Sequence, residues 1–251
     1  MMTMAPRTEP RLTVAVLQQK GGCGKTTLAI NLAAAAHLEG ARAVIVDMDR
    51  QASAFDWSVA RGARSALDGL AVVRADRALP LPRLREIVRG FEYAFLDGPP
   101  RLGDVTQSAA VAADLAVLPI QPGPFDFWAV AETLESSDRA DQIREQLGRG
   151  PIRRAFVVNR ASARTRLARE AEAELLRTGG ELLAVVRQRV AFAEAAARGD
   201  SVVTSADLAA DEIRRLWRAL KGGTRGTKSE ETQQDRGSSG ETEQRREAHR
   251  G

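Results

Sequence analysis

The chain has 251 residues and a hydrophobic fraction of 43%, enough to bury one sizeable core. Its formal charge of +4 permits contact with DNA or an acidic surface without requiring it. A single cysteine excludes a disulfide framework and a thiolate-held metal cluster and suits a reducing cytoplasm, and no apolar run reaches the length of a membrane span.

In chain order, residues 1–10 are expected to form a flexible polar lead-in, without the apolar segment of a signal peptide. Leu12 to Leu17 is an apolar run of strand length, and Leu28 to Leu38 is rich in Ala and Leu with Gly40 placed as a helix stop. Between them stands Lys20-Gly21-Gly22-Cys23-Gly24-Lys25-Thr26-Thr27. Strand, glycine loop and helix together make the context of a phosphate-binding loop. Glycines let successive backbone N–H groups turn inward around phosphate oxygens, and the helix N-terminus adds the positive end of its dipole. In that register Lys25 reaches the β- and γ-phosphates and the Thr26 hydroxyl ligates Mg²⁺. Lys20 has two readings from the loop alone: a solvated lysine, or a second cation for the nucleotide that reaches across to a partner chain.

Ala43 to Val46 reads as a buried strand ending in Asp47-Met48-Asp49. Carboxylates two apart project to one side if strand geometry persists, at the sheet edge where open α/β folds bind ligands, and the other reading of the pair is a capping turn before the next helix, which suits one aspartate better than both. A helix is expected near residues 53–60, a short strand over 71–73, and a helix over 82–89 with proline near its start. Tyr93 to Leu96 is another apolar strand, and Asp97 after it is placed as the second Mg²⁺ anchor, acting through bound water. A strand over 113–120 is broken by Pro122 and Pro124, and a helix follows over 126–147. Phe125, Phe127 and Trp128 on it read as core or interface. The strand 154–159 ends in Asn159, whose amide has two equal readings: a hydrogen bond to a base edge, or a cap for a helix starting near Ser162. A strand over 184–186 and helices over 190–198 and 206–220 complete the pattern. This alternation predicts an α/β fold with a mostly parallel twisted sheet and helices on both faces, spanning 11–221. Residues 222–251 lack apolar periodicity and are expected to be a disordered polar tail.

The loop 20–27 resembles the deviant Walker A box of the ParA/MinD ATPases, a P-loop NTPase family. Asp47-Met48-Asp49-Arg50-Gln51 is similar to the family's Asp-x-Asp-Pro-Gln box, with Arg50 in place of the proline, and Leu96-Asp97-Gly98-Pro99 is similar to its Walker B. Phe55 to Ser58, Leu118 to Pro122, Asp126-Phe127 and Arg187 to Arg189 resemble the small ParA branch typified by ParF. The resemblance implies ATP and Mg²⁺ as cofactors, slow partner-stimulated hydrolysis, and an ATP-dependent homodimer, with higher polymers left open. It assigns Lys20 to the partner's nucleotide, Asp49 to the attacking water, Asp47 and Asp97 to Mg²⁺ through water, and Gly21, Gly22, Cys23, Gly24, Lys25, Thr26, Thr27 and Asn159 to the nucleotide.

The function expected first is a cytoplasmic, nucleoid-associated ATPase that segregates a plasmid or chromosome, released from non-specific DNA by a small centromere-binding partner of the ParB or ParG kind. Arg187, Arg189, Arg198, Arg214, Arg215 and Arg218 are the candidate phosphate contacts, any one of which alone reads as a solvated helix face. Two alternatives stand beside it: positioning of a protein cargo such as a cluster or microcompartment, and a metabolic ATP-dependent ligase on the same fold. Membrane-dependent behaviour is disfavoured because 222–251 offers no amphipathic face.

Overall fold

The computed structural model describes residues 9–62, 65–101, 103–122, 124–162 and 181–222, with the side chains of 124–129 excepted. The strands are β1 (Leu12–Val16), β2 (Ala43–Asp47), β3 (Ala71–Arg74), β4 (Tyr93–Asp97), β5 (Leu115–Ile120), β6 (Arg153–Ala161) and β7 (Glu181–Arg187). The helices are α1 (Lys25–Leu38), α2 (Ser53–Val59), α3 (Leu81–Val88), α4 (Asp104–Ala112), α5 (Pro124–Gln146) and α6 (Val190–Ala197), and residues 208–222 form α7. The expected tail boundary moves slightly: Gly222 is still helical, and 223–251 lie outside the described residues. The expected helix after Ser162 and the placement of Phe125, Phe127 and Trp128 also lie outside them.

The strands form one sheet in the order β3-β2-β4-β1-β5-β6-β7, and every neighbouring pair is parallel. A parallel sheet needs a crossover between strands, and helices covering both faces supply it. That is why the central strands read as continuous apolar runs rather than alternating ones: all five residues of β1 and of β2 are buried.

The pleat divides the core in two. Val14, Val16, Ile45 and Phe95 pack against α1 and α7, while Ala15, Leu17, Val44 and Leu96 pack against α3, α4 and α5. Helix α1 is enclosed almost all round; Ala29, Ala33, Ala34 and Ala36 are fully buried, and their small side chains let neighbouring elements approach closely. Helix α7 returns across that face and places Trp217 edge-on to Tyr93, ring centroids 4.8 Å apart, and near Phe95 at 5.9 Å. Burial of each such large side chain contributes about 2–3 kcal/mol. No helix among the described residues is long and apolar enough to cross a membrane.

This topology sets the functional edge. Sequence-adjacent β1 and β2 are separated by β4, so the loops after β1, β2 and β4 open side by side at the carboxyl ends of the strands. Asp47 and Asp97 pair directly in register there, opposite Val16 of β1.

Candidate nucleotide site

The loop between β1 and α1 is shaped by two left-handed glycines, Gly22 at φ 73° and Gly24 at φ 97°. Gly24 is the N-cap of α1 and is doubly constrained, since a Cβ there would sit 2.2 Å from Asn159 Nδ2. Asn159 occupies that space for a reason: its Nδ2 donates to the Cys23 carbonyl at 2.7 Å, and the residue is buried. The contact adds a third role to Asn159, and the helix it would cap lies outside the described residues. The Asn159 amide N–H braces the phosphate loop from β6, because β6 carries its C-terminal end beside β5 and the loop.

Lys25 is 6% exposed and donates from Nζ to the Lys20 carbonyl at 3.1 Å, with Cys23 Sγ at 3.9 Å. The ammonium is thereby folded along the inside of the loop that it would share with phosphate oxygens. Thr26 and Thr27 open α1, and the cleft above them is about 600 Å³ and includes Gly21, Lys25, Thr26, Asp49 and Pro100 in its walls. A cavity of that size at a helix N-terminus, with backbone N–H groups and an ammonium facing it, suits a nucleoside polyphosphate.

The three carboxylates take different places. β2 ends at Asp47, so the strand geometry on which the same-side projection depended does not extend to Asp49. Asp47 is fully buried; its Oδ1 accepts from Asp49 N at 3.2 Å and its Oδ2 from Phe55 N at 2.9 Å, which ties the β2–α2 loop to the strand end. Burial raises its carboxyl above the ordinary range, against the pull of those backbone donors. Asp49 is partly exposed at the cleft and accepts from Gln51 N at 3.1 Å.

Asp97 is fully buried, and neither carboxylate oxygen has a hydrogen-bond partner of normal geometry. Burial pushes its carboxyl up to about 7; the Thr26 hydroxyl and Lys25 pull it down, and Asp47 and Asp49 push it further up. A buried carboxylate without a partner is costly, and a cation beside Thr26 would remove that cost. The donor set fits Mg²⁺, which keeps several waters and takes one or two carboxylates plus phosphate oxygens. It fits no dedicated protein cage: among the described residues no group of three or more His, Cys, Asp or Glu side chains converges. With nucleotide bound, Mg²⁺ would neutralise charge on the β- and γ-phosphates.

Several residues that hold the site carry no motif signal, or were singled out only by the family resemblance, as Trp57 was. Asn31, one turn along α1, donates to the Thr27 carbonyl at 2.7 Å and accepts from Ser201 Oγ at 2.6 Å and Val202 N at 3.0 Å, locking the C-terminal segment to the loop helix. Trp57 Nε1 donates to the Asp200 carbonyl at 2.9 Å beside Gly199, where φ is 65° and a Cβ would meet Arg61 N at 2.4 Å. Gln18 is buried, donates to the Pro119 carbonyl at 3.3 Å and accepts from Thr133 Oγ1 at 3.0 Å, linking loop, β5 and α5. Gln121, in a stretch the sequence singled out only by resemblance, donates to the Gly22 carbonyl at 3.3 Å.

The candidate DNA arginines divide. Arg189 pairs with the buried Glu212 at 2.8 Å, and Arg214 donates to the Val203 and Ser205 carbonyls, both at 2.8 Å. These two serve the fold, because Glu212 also accepts from Arg187 N and fixes the end of β7 to α7. The side chains of Arg187, Arg198 and Arg215 are exposed and make no hydrogen bond or ion pair among the described residues, and Arg218 makes one long bond, 3.3 Å to the Arg214 carbonyl.

Comparison with known proteins agrees with this geometry along the length of the chain. A carboxysome-distribution protein, maintenance of carboxysome distribution protein A of Halothiobacillus neapolitanus, is 30% identical over 81% of this chain and 94% of its own length. The chromosome-partitioning ATPase Soj of Thermus thermophilus is 32% identical over 77% of this chain and 88% of its own. Among solved structures, apo McdA of Cyanothece superposes with a TM-score of 0.67 at 16% identity, covering 84% of this chain and 98% of that one, and shares the fold. The family model of the CobQ/CobB/MinD/ParA nucleotide-binding domain matches residues 14–202, and the chain belongs to that family.

Proposed function

We propose that the protein is an ATP-hydrolysing switch that positions a large protein assembly within the cell. The observation that carries this reading is the end-to-end similarity to a carboxysome-distribution protein, laid over a phosphate loop whose companion carboxylate, Asp97, has no partner of its own. This reverses the order expected from the sequence, where DNA segregation stood first. Segregation is the second reading, favoured by the similarity to Soj and by the unpaired Arg187, Arg198 and Arg215. The narrower likeness to the ParF branch belongs with that second reading. A metabolic ligase on this fold has less support, since the cobyrinic acid a,c-diamide synthase of Mycobacterium smegmatis, bound to an ATP analogue and magnesium, is 20% identical and speaks for the fold alone.

In this mechanism Lys25 and the backbone N–H groups of 21–27 hold the phosphates. Thr26 and Asp97 would hold Mg²⁺, Asp47 orders the loop that carries Asp49, and Asp49 would orient the attacking water. Lys20 supplies its charge to the nucleotide of a second copy, so hydrolysis is coupled to pairing. Gln18, Asn31 and Asn159 keep the loop from relaxing, a pre-organisation worth more than any single contact.

Two measurements test the proposal. Sedimentation with a non-hydrolysable ATP analogue should show paired chains for the wild type and single chains for Lys20→Ala; single chains for both would sink the switch. Deleting the gene in its host should disperse or cluster a cytoplasmic protein assembly while leaving replicon inheritance intact. Loss of a replicon with normal assemblies would move the cargo to DNA.

A further inference from the structure

The sheet has a second pole. Around the amino-terminal ends of β1, β5 and β6, a cavity of about 330 Å³ opens between α3 and the residues around β1 and β6. Its floor is apolar: Leu12, Leu84 and Leu96 are each 2% exposed or less, and Val88 lies beside them. Four arginines from four separate elements line it: Arg11, Arg85, Arg149 and Arg153, against the acids Glu9 and Asp114.

These arginines are weakly engaged. Arg85–Glu9 at 3.2 Å and Arg11–Glu92 at 3.0 Å are half-exposed pairs, and Arg153–Glu181 is stretched to 3.7 Å, so each contributes little. Asp114 is committed elsewhere, since its Oδ2 accepts from Thr13 N at 2.8 Å. Arg149 is left with two long contacts from one terminal nitrogen, 3.4 Å each, to the Ala112 carbonyl and Asp114 Oδ1. Its Nε is buried with no acceptor at all. Guanidinium groups held only by long or half-exposed contacts, gathered on the wall of an apolar-floored cavity, suit an anionic group on an apolar body.

We propose that this pocket binds a small amphiphilic anion, a carboxylate on a short hydrocarbon body, independently of the nucleotide. The head group lies against Arg149 with Arg85 or Arg153 as second donor, and the body lies over Leu84 and Val88. Pockets at this end of the size range bury a compact ligand almost wholly. A DNA phosphate would use the arginines but leave the apolar floor empty.

The test uses the full chain and octanoate as probe, with inorganic phosphate and a short DNA duplex in parallel titrations. Calorimetry should show saturable octanoate binding with a Kd of about 1 mM or tighter, unchanged by saturating ATP analogue. Arg149→Gln should weaken it roughly tenfold, and Val88→Phe, which fills the floor, should abolish it while leaving ATP binding intact. Absence of saturable octanoate binding overturns the proposal, as does equal binding by the Arg149→Gln protein. Tight duplex binding lost in Arg149→Gln, with no octanoate binding, would make the pocket a nucleic-acid contact instead.

Discussion

Two buried charges of this molecule invite comparison. Asp97 lies at the carboxyl edge of the sheet with neither oxygen paired. Arg144, in α5, is 5% exposed and donates to three carbonyls: Nε to Gly150 at 2.8 Å and one terminal nitrogen to Val111 and Ala113 at 3.0 and 2.5 Å. Those carbonyls end α4 and have no intrahelical donor, so Arg144 caps that helix with a cation at the negative end of its dipole. The two groups carry charges of equal size and opposite sign, and they differ in meaning as well. A buried charge bonded on several sides holds the fold; a buried charge left open is held by the fold for something that arrives later.

Experiments can sharpen that distinction. The largest effect is expected at the loop: Lys25→Ala should lower ATP turnover by a hundredfold or more, roughly the effect of removing a donor that faces developing phosphate charge. Gly24→Ala should abolish nucleotide binding in equilibrium titrations, because it combines a positive φ with a clash against Asn159. Asn159→Ala in the same background should recover part of the binding if the clash, rather than the backbone, dominates.

Next in size is Arg144→Met. It should destabilise the protein by about 3 kcal/mol in urea melts, by stripping buried carbonyls of their donor, while the folded fraction still binds ATP analogue. Asp97→Asn should do the reverse. Without nucleotide it should raise stability by about 1–2 kcal/mol, by removing an unpaired buried charge, and it should lose Mg²⁺-dependent turnover. If Asp97→Asn instead destabilises the nucleotide-free protein, the contrast between the two charges fails.

The smallest effects separate the arginines. Replacing Arg187, Arg198 or Arg215 with Gln should leave the melt unchanged and lower the salt slope of any DNA binding by about one per residue. Arg189→Gln should instead lower the melt, because it leaves Glu212 buried without its cation.

Much of this was legible in the sequence. The apolar runs over 12–17, 43–46, 93–96 and 113–120 could only be buried parallel strands once helices stood between them, and they emerged within a residue or two of their expected bounds. The glycine loop was legible because its chemistry is local: left-handed glycines, a lysine and a threonine at fixed spacing need only the strand and helix on either side. Asp97 was legible for the same reason, as a carboxylate at a strand end. Side-by-side projection of Asp47 and Asp49 depended on the strand continuing, and β2 ends at Asp47; its carboxylate accepts from Asp49 N and Phe55 N, the capping turn that was the other reading of the pair.

What the chain alone determined, then, was everything encoded by short-range periodicity and spacing: a parallel α/β sheet, its phosphate loop, and the carboxylates beside it. Only the tertiary structure decided which polar side chains were already satisfied. Asn159 and Cys23 stand 136 residues apart, Asn31 and Ser201 170. Arg144 and Arg149 are both arginines near the end of α5, yet one is sealed into a helix cap and the other faces an open cavity. A hydrogen bond is set by distances of a few tenths of an ångström between groups remote in sequence, so whether a charge is structural or available is a property of packing, which residue type and spacing do not carry.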